Sequence, residues 1–92
     1  MPHDDPSLQE RYAPNARCFG CGPANESGLR IRTLPDPDDA DAVVSTWRAG
    51  PEHEAFAGVV NGGICGTLLD CTMNWAAISR LIRDREAPEA PD

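Results

Sequence analysis

An α+β fold is predicted by three features of the chain. The first is a helical pattern from about residue 61 to residue 83. Ile64, Leu68, Cys71, Trp75, Ile78 and Ile82 recur at the spacing of one helix face. Leu69, Met73, Ala76 and Ala77 extend the apolar surface around most of the circumference, which predicts a central helix wrapped by other structure. The second is a pair of alternating segments. Leu29-Arg30-Ile31-Arg32-Thr33 alternates apolar with polar, and Asp41 to Ala49 does so again, with Val43, Ser45 and Trp47 on one face. The third is the Pro35-Asp36-Pro37-Asp38-Asp39 run between them, a turn signal that makes the two segments a hairpin.

Each element follows from its neighbours. Residues 1–16 are polar and proline-bearing and are expected to form a flexible N-terminal segment. Residues 17–83 are expected to hold the folded unit. Residues 50–60 read as a loop punctuated by Gly50, Pro51 and Gly58. Asn61 is a good N-cap, so the helix is expected to start there. Arg80, Arg83 and Arg85 suit the negative end of its dipole. Residues 84–92, Asp-Arg-Glu-Ala-Pro-Glu-Ala-Pro-Asp, read as a disordered tail. One hairpin cannot wrap an all-round apolar helix. A unit this short buries only about 60% of its unfolded surface. Both points predict a homo-oligomer, a dimer or tetramer.

Composition narrows the partners. The chain has 92 residues and a net charge of −7, and its basic residues are all arginine. An acidic chain is a poor nucleic-acid binder. The start, Met-Pro-His-Asp-Asp-Pro, has no apolar run and is not a secretory signal. The most apolar stretch, 64–78, is broken by Asp70 and Asn74 and is too short to span a bilayer. We therefore expect no nucleic-acid or membrane partner, a cytoplasmic location, and cysteines that are free thiols.

The chemistry concentrates in the helix. Asp70 sits amid Leu68, Leu69, Cys71 and Met73, where a charge is costly unless it is paired or used. It is either a catalytic base or a carboxylate that reaches solvent. Thr67 and Asn74 lie three and four residues away on the same face, so either can hydrogen-bond it. Gly62 follows Asn61, and Gly63 follows it. A helix start there offers unpaired N–H groups and a positive dipole end, suited to a developing oxyanion. His53 is either a substrate contact at the site mouth or an ordinary loop histidine. Cys18-x-x-Cys21 is half a zinc site. A structural zinc needs four ligands, there is no second pair, and Cys65 and Cys71 are six residues apart on one helix, so we expect no metal and no cofactor. Trp47 and Trp75 read as core aromatics.

The ordered set Cys18-Phe19-Gly20-Cys21-Gly22-Pro23-Ala24-Asn25, Gly28-Leu29-Arg30-Ile31, His53-Glu54-Ala55-Phe56-Ala57-Gly58, Asn61-Gly62-Gly63 and Leu69-Asp70-Cys71 resembles the PaaI-type branch of the hotdog-fold acyl-CoA thioesterases. The resemblance covers about residues 18–82. It implies a long central helix wrapped by a curved antiparallel sheet, a dimer or dimer of dimers, and metal-free hydrolysis of acyl-CoA. It implies Gly62 as the oxyanion donor and Asp70 as base or nucleophile, with Asn61 at the family's histidine position. Gly63, Asn74, Thr67 and His53 become candidate substrate contacts. Such domains continue after the helix with further strands, so the resemblance implies a hotdog domain truncated after the helix. An inactive binding or interaction module is the alternative from a different class.

Overall fold

A computed structural model describes residues 5–86. Its elements run in the order α1 (Leu8–Tyr12), β1 (Arg32–Asp36), β2 (Asp39–Thr46), a 3-10 turn (Pro51–His53), β3 (Glu54–Phe56), β4 (Val59–Val60) and α2 (Gly62–Glu86). The fold is α+β, with two small antiparallel sheets and one long helix. β1 pairs with β2, Thr33 opposite Ser45 and Leu34 opposite Val44. β3 and β4 form a second, smaller hairpin. Strand pairing runs through most of the Pro/Asp run, and only Pro37 and Asp38 turn. The Asp36 side chain accepts the Asp38 N–H at 2.8 Å, the Asx geometry that favours such a turn. Residues 50–60, read as loop, fold into the 3-10 turn and the β3–β4 hairpin instead; runs this short carry too little pattern to read.

The core joins Leu8, Cys21, Ile31, Cys71 and Trp75, with Tyr12, Leu29, Val43, Trp47 and Leu68 packed against them. The Val43–Trp47 face of β2 is thus the inward one, and Trp47 Nε1 donates to the Leu29 carbonyl at 2.8 Å. On α2 the middle of the stripe is inward, with Cys71 and Trp75 buried and Leu68 packed against them, while Ile78 is exposed. Its flank is different. Leu69, Met73 and Leu81 are about two-thirds exposed, so among the described residues the helix is covered on one side only.

The largest correction lies at the N-terminus. Polar composition predicts a flexible segment over 1–16, yet Leu8–Tyr12 is a helix, and Ser7, Leu8 and Gln9 are buried. Ser7 and Glu10 form a capping box: the Ser7 hydroxyl accepts the Glu10 N–H at 3.1 Å, and the Glu10 carboxylate accepts the Ser7 N–H at 2.8 Å. Asp84–Glu86, read as tail, complete α2. Residues 1–4 and 87–92 lie outside the described residues.

A polar chain runs through this core. Gln9 Oε1 accepts the Thr33 N–H at 2.9 Å, and Gln9 Nε2 donates to Thr33 Oγ1 at 2.8 Å. Thr33 Oγ1 meets Ser45 Oγ at 2.8 Å, and Thr72 Oγ1 donates to Ser45 Oγ at 2.7 Å. One residue each from α1, β1, β2 and α2 is therefore linked in sequence. No buried side-chain nitrogen or oxygen among the described residues lacks a partner, which is the condition for such a network to stabilise. At the far end, Arg83 donates to the Ala40 carbonyl and to the Asp41 carboxylate, the latter at 2.8 Å. That guanidinium holds the exposed Asp41 carboxyl below its usual range.

Gln9→Ala leaves the Thr33 N–H a buried donor without a partner. A lowering of the unfolding free energy by about 2 kcal/mol is expected, read from urea melts. Glu10 is held below the ordinary glutamate range, first by the Ser7 N–H and then by the Ser7 hydroxyl, with Arg32 adding to them. A depressed carboxylate contributes stability above its unfolded pKa and loses it as pH falls through the folded value. Glu10→Gln should therefore flatten part of the acid-side loss in a pH series of urea midpoints, leaving the neutral-pH cooperativity unchanged.

Candidate functional site

The start of α2 is built by Asn61. Its Oδ1 accepts the Gly63 N–H at 2.7 Å, and its carbonyl accepts the N–H groups of Ile64 at 3.0 Å and Cys65 at 3.2 Å. The Asn61 N–H is itself bound to the His53 carbonyl at 2.8 Å, so the β3–β4 hairpin fixes where the helix begins. A Cβ at Gly63 would lie 2.9 Å from the capping Asn61 oxygen, so a larger residue there would make the cap shift. Gly62 stands open, with nothing within 4 Å of the place its Cβ would occupy. The expected N-cap is present, and Asn61 takes up the N–H groups of Gly63, Ile64 and Cys65 at the start of the 25-residue helix.

His53 comes next to the helix start through its backbone, while its ring is engaged elsewhere. Nδ1 accepts the Gly50 N–H at 2.8 Å, and the ring packs edge-on against Trp47, with centroids 4.8 Å apart. The imidazole thus closes the 3-10 turn.

Asp70 is exposed. Asn74 Nδ2 donates to its Oδ1 at 3.3 Å. Thr67 does not join them, because its hydroxyl turns back to the Gly63 carbonyl at 2.9 Å, a bond between residues four apart that threonine makes readily inside helices. Of the two expected partners the structure therefore brings only Asn74 to the carboxylate. Leu69 and Met73, both 65% exposed, flank it. Gly62 and Asp70 are eight residues apart on one helix, roughly 12 Å along its axis.

The Cys18–Cys21 loop packs on α2. A Cβ on Gly20 would lie 2.4 Å from Cys71 Sγ and 2.6 Å from Thr67 Cγ2, so the loop backbone rests directly on the helix. The third thiol escapes sequence reasoning, since Cys71 is 53 residues from Cys18 and no spacing rule links them. One local signal does exist: Gly22 sits directly after the second cysteine, and its N–H closes the loop onto the Cys18 carbonyl at 2.8 Å.

A cleft of about 410 Å³ lies between α1, the β1–β2 hairpin and the last turns of α2, with Leu8, Tyr12, Val43, Arg80 and Arg83 among its walls. It is at the opposite end of α2 from Asn61. No helix among the described residues is long and apolar enough to cross a membrane. Neither a family model, nor a curated protein, nor a solved structure matches the chain.

Asn61→Ala removes the cap and should lower stability by about 1 kcal/mol. Asn61→Asp keeps the accepting oxygen and should leave the thermal midpoint near that of the parent. Equal losses in the two variants would show that the cap is not what the asparagine provides.

Proposed function

We propose that the chain is a thioester hydrolase acting on acyl-CoA, built as a hotdog-type dimer. The observation that carries this reading is the α2 surface: an open helix start at Gly62 and a carboxylate, Asp70, set between the exposed side chains of Leu69 and Met73. A carboxylate on an apolar face suits a site that closes when a second copy covers that face. The resemblance of the Cys18–Asn25, Gly28–Ile31 and Asn61–Cys71 segments to PaaI-type thioesterases supports the same substrate class.

In this mechanism the thioester oxygen lies at the Gly62 N–H. Asp70 takes a proton from water as the water oxygen bonds to the carbonyl carbon, or attacks that carbon itself. Negative charge moves to the oxygen held by the helix start, where preorganised N–H groups and the dipole stabilise it. Collapse breaks the C–S bond and the CoA thiolate leaves; in the base route it takes up the proton held by Asp70, and in the nucleophile route a water then hydrolyses the acyl-Asp70 anhydride, releasing the acid, restoring the carboxylate and supplying the thiolate's proton. Asn74 holds Asp70 in place. Asn61 sets the Gly63 turn and moves no proton.

A base and an oxyanion donor serving one carbonyl must both lie within roughly 3 Å of the reacting atoms. Twelve ångströms of helix separates them within one chain. Two antiparallel helices about a two-fold axis bring Gly62 of one copy to Asp70 of the other, twice. The competing reading is an inactive interaction module, favoured by the same exposed strip of Leu69, Met73 and Leu81. Turnover of an acyl-CoA panel separates the two readings, because only the hydrolase releases thiol.

The decisive experiment mixes two inactive variants. Asp70→Asn removes the base. Gly62→Pro removes the donor N–H, and proline fits a first helical position. Each alone should lose about 100-fold or more in kcat. Refolded together in equal amounts, roughly half the dimers are mixed and hold one intact site each, so activity should return to about a quarter of the parent. A mixture that forms heterodimers by native mass spectrometry and stays inactive overturns the shared site.

A further inference from the structure

Three thiols from two distant parts of the chain converge at the base of the N-terminal loop. The sulfur atoms of Cys18, Cys21 and Cys71 all lie within 4.8 Å of one another, and Cys18 Sγ is 4.0 Å from Cys71 Sγ. At a zinc–sulfur bond of about 2.3 Å, tetrahedral ligands are separated by about 3.8 Å and trigonal ones by about 4.0 Å. The sulfurs therefore stand close to the spacing of a thiolate tripod around one ion. A disulfide would need them at about 2.05 Å, and all three are free.

The loop is shaped for this. The backbone N–H groups of Cys21 and Gly20 are directed at the Cys18 sulfur and hold its thiol below the ordinary value. N–H groups aimed at a sulfur stabilise the thiolate that a metal requires. Gly22 permits the tight return, since a Cβ there would meet the Cys18 nitrogen at 2.4 Å and the Ala16 oxygen at 2.6 Å. Gly20 permits the loop to touch α2 at Cys71. Cys21 and Cys71 are buried at 6% and 3% exposure. Burial pushes both of these thiols up, and their sulfur neighbours add to the rise at Cys71. A dication at the centre of the three removes that penalty.

We propose that Cys18, Cys21 and Cys71 form a tris-thiolate site for a thiophilic metal ion such as Zn²⁺, clamping the N-terminal loop to the middle of α2. This replaces the sequence-based expectation of no metal. That expectation counted cysteine pairs along the chain and could not see Cys71 arrive from the helix. Three thiolates and a dication give a site of charge −1, with the displaced thiol protons passing to solvent. A tetrahedral ion would complete its coordination with a water or an exogenous thiol. The site does not depend on the hydrolase reading.

The test uses the whole chain, fully reduced and stripped with a chelator. Zn²⁺ is titrated against a chromophoric competitor, and Co²⁺ serves as a spectroscopic probe. One ion per chain is expected, with a sulfur-to-cobalt charge-transfer band and the visible bands of tetrahedral cobalt. Cys18→Ser, Cys21→Ser and Cys71→Ser should each weaken zinc by more than roughly 100-fold, beyond the effect of an outer-shell change. Cys65→Ser, at an exposed position outside the trio, should bind as the parent does. Because Cys18 is exposed, its variant is the one expected to keep the native circular dichroism spectrum, and it decides the matter if the buried variants fail to fold. A reduced protein that shows no charge-transfer band overturns the proposal. So does a folded Cys18→Ser variant that binds zinc as tightly as the parent.

Discussion

The structure depends on how the outer edge of β1 is satisfied. A two-stranded sheet leaves each strand with one row of backbone groups that no strand takes up. Within β1 the N–H of Thr33 goes to Gln9 Oε1 at 2.9 Å, and in the segment leading into the strand the N–H of Leu29 goes to the Phe19 carbonyl at 2.8 Å and that of Ile31 to the Gly20 carbonyl at 2.9 Å. Ile31 and Thr33 are essentially inaccessible to water, so leaving these donors unmade would cost about 1–3 kcal/mol each. The same bonds dock α1 and the cysteine loop onto the sheet. One requirement, hydrogen-bonding an edge without a third strand, thus places the whole N-terminal third of the fold.

Packing then follows from the docking. With α1 seated, Leu8 enters the core beside Ile31 and Trp75. With the loop seated, Gly20 lies against α2 and brings two cysteines to the third. The other end of α2 is held by polar contacts, Arg83 to β2 at Ala40 and Asp41, and Arg80 to Asp41 at 3.7 Å. Exposed ion pairs of this kind are worth little singly. The buried face around Cys71 and Trp75 therefore does most to hold the helix, and the opposite strip remains available to whatever covers it.

The elements legible in the sequence are those with a long period or a strong local signal. The α2 stripe needed only its 3.6-residue spacing, Asn61 only its place before two glycines, and the inward face of β2 only Trp47. The missed elements fall into two kinds. Helix α1 has just five residues, too few for a period, although Ser7 and Glu10 carried a capping-box signature that polar composition masked. The cysteine trio and the Gln9–Thr33 bond are contacts across 53 and 24 residues. Nothing along the chain announces them, because they are set by the docking of the edge. At the candidate site, Asn61 as cap and Asn74 as partner of Asp70 follow from helix geometry. Thr67 does not, because its choice between the Asp70 carboxylate and the Gly63 carbonyl is a rotamer preference rather than a spacing.

That rotamer links the cysteine loop to the start of α2. Thr67 turns its hydroxyl up to Gly63, and its methyl lies where a side chain on Gly20 would fall, 2.6 Å from that position. The cysteine loop thus presses on the residue that braces the first turn of α2. A loop clamped through Cys71 limits the space into which Thr67 can rotate. It thereby keeps the Gly63 carbonyl, which accepts the Thr67 hydroxyl, in its helical arrangement. Order at the helix start then comes from both sides: from the β3–β4 hairpin through the Asn61 N–H, and from the N-terminal loop through Thr67. The first turn of α2 is thereby braced from two directions.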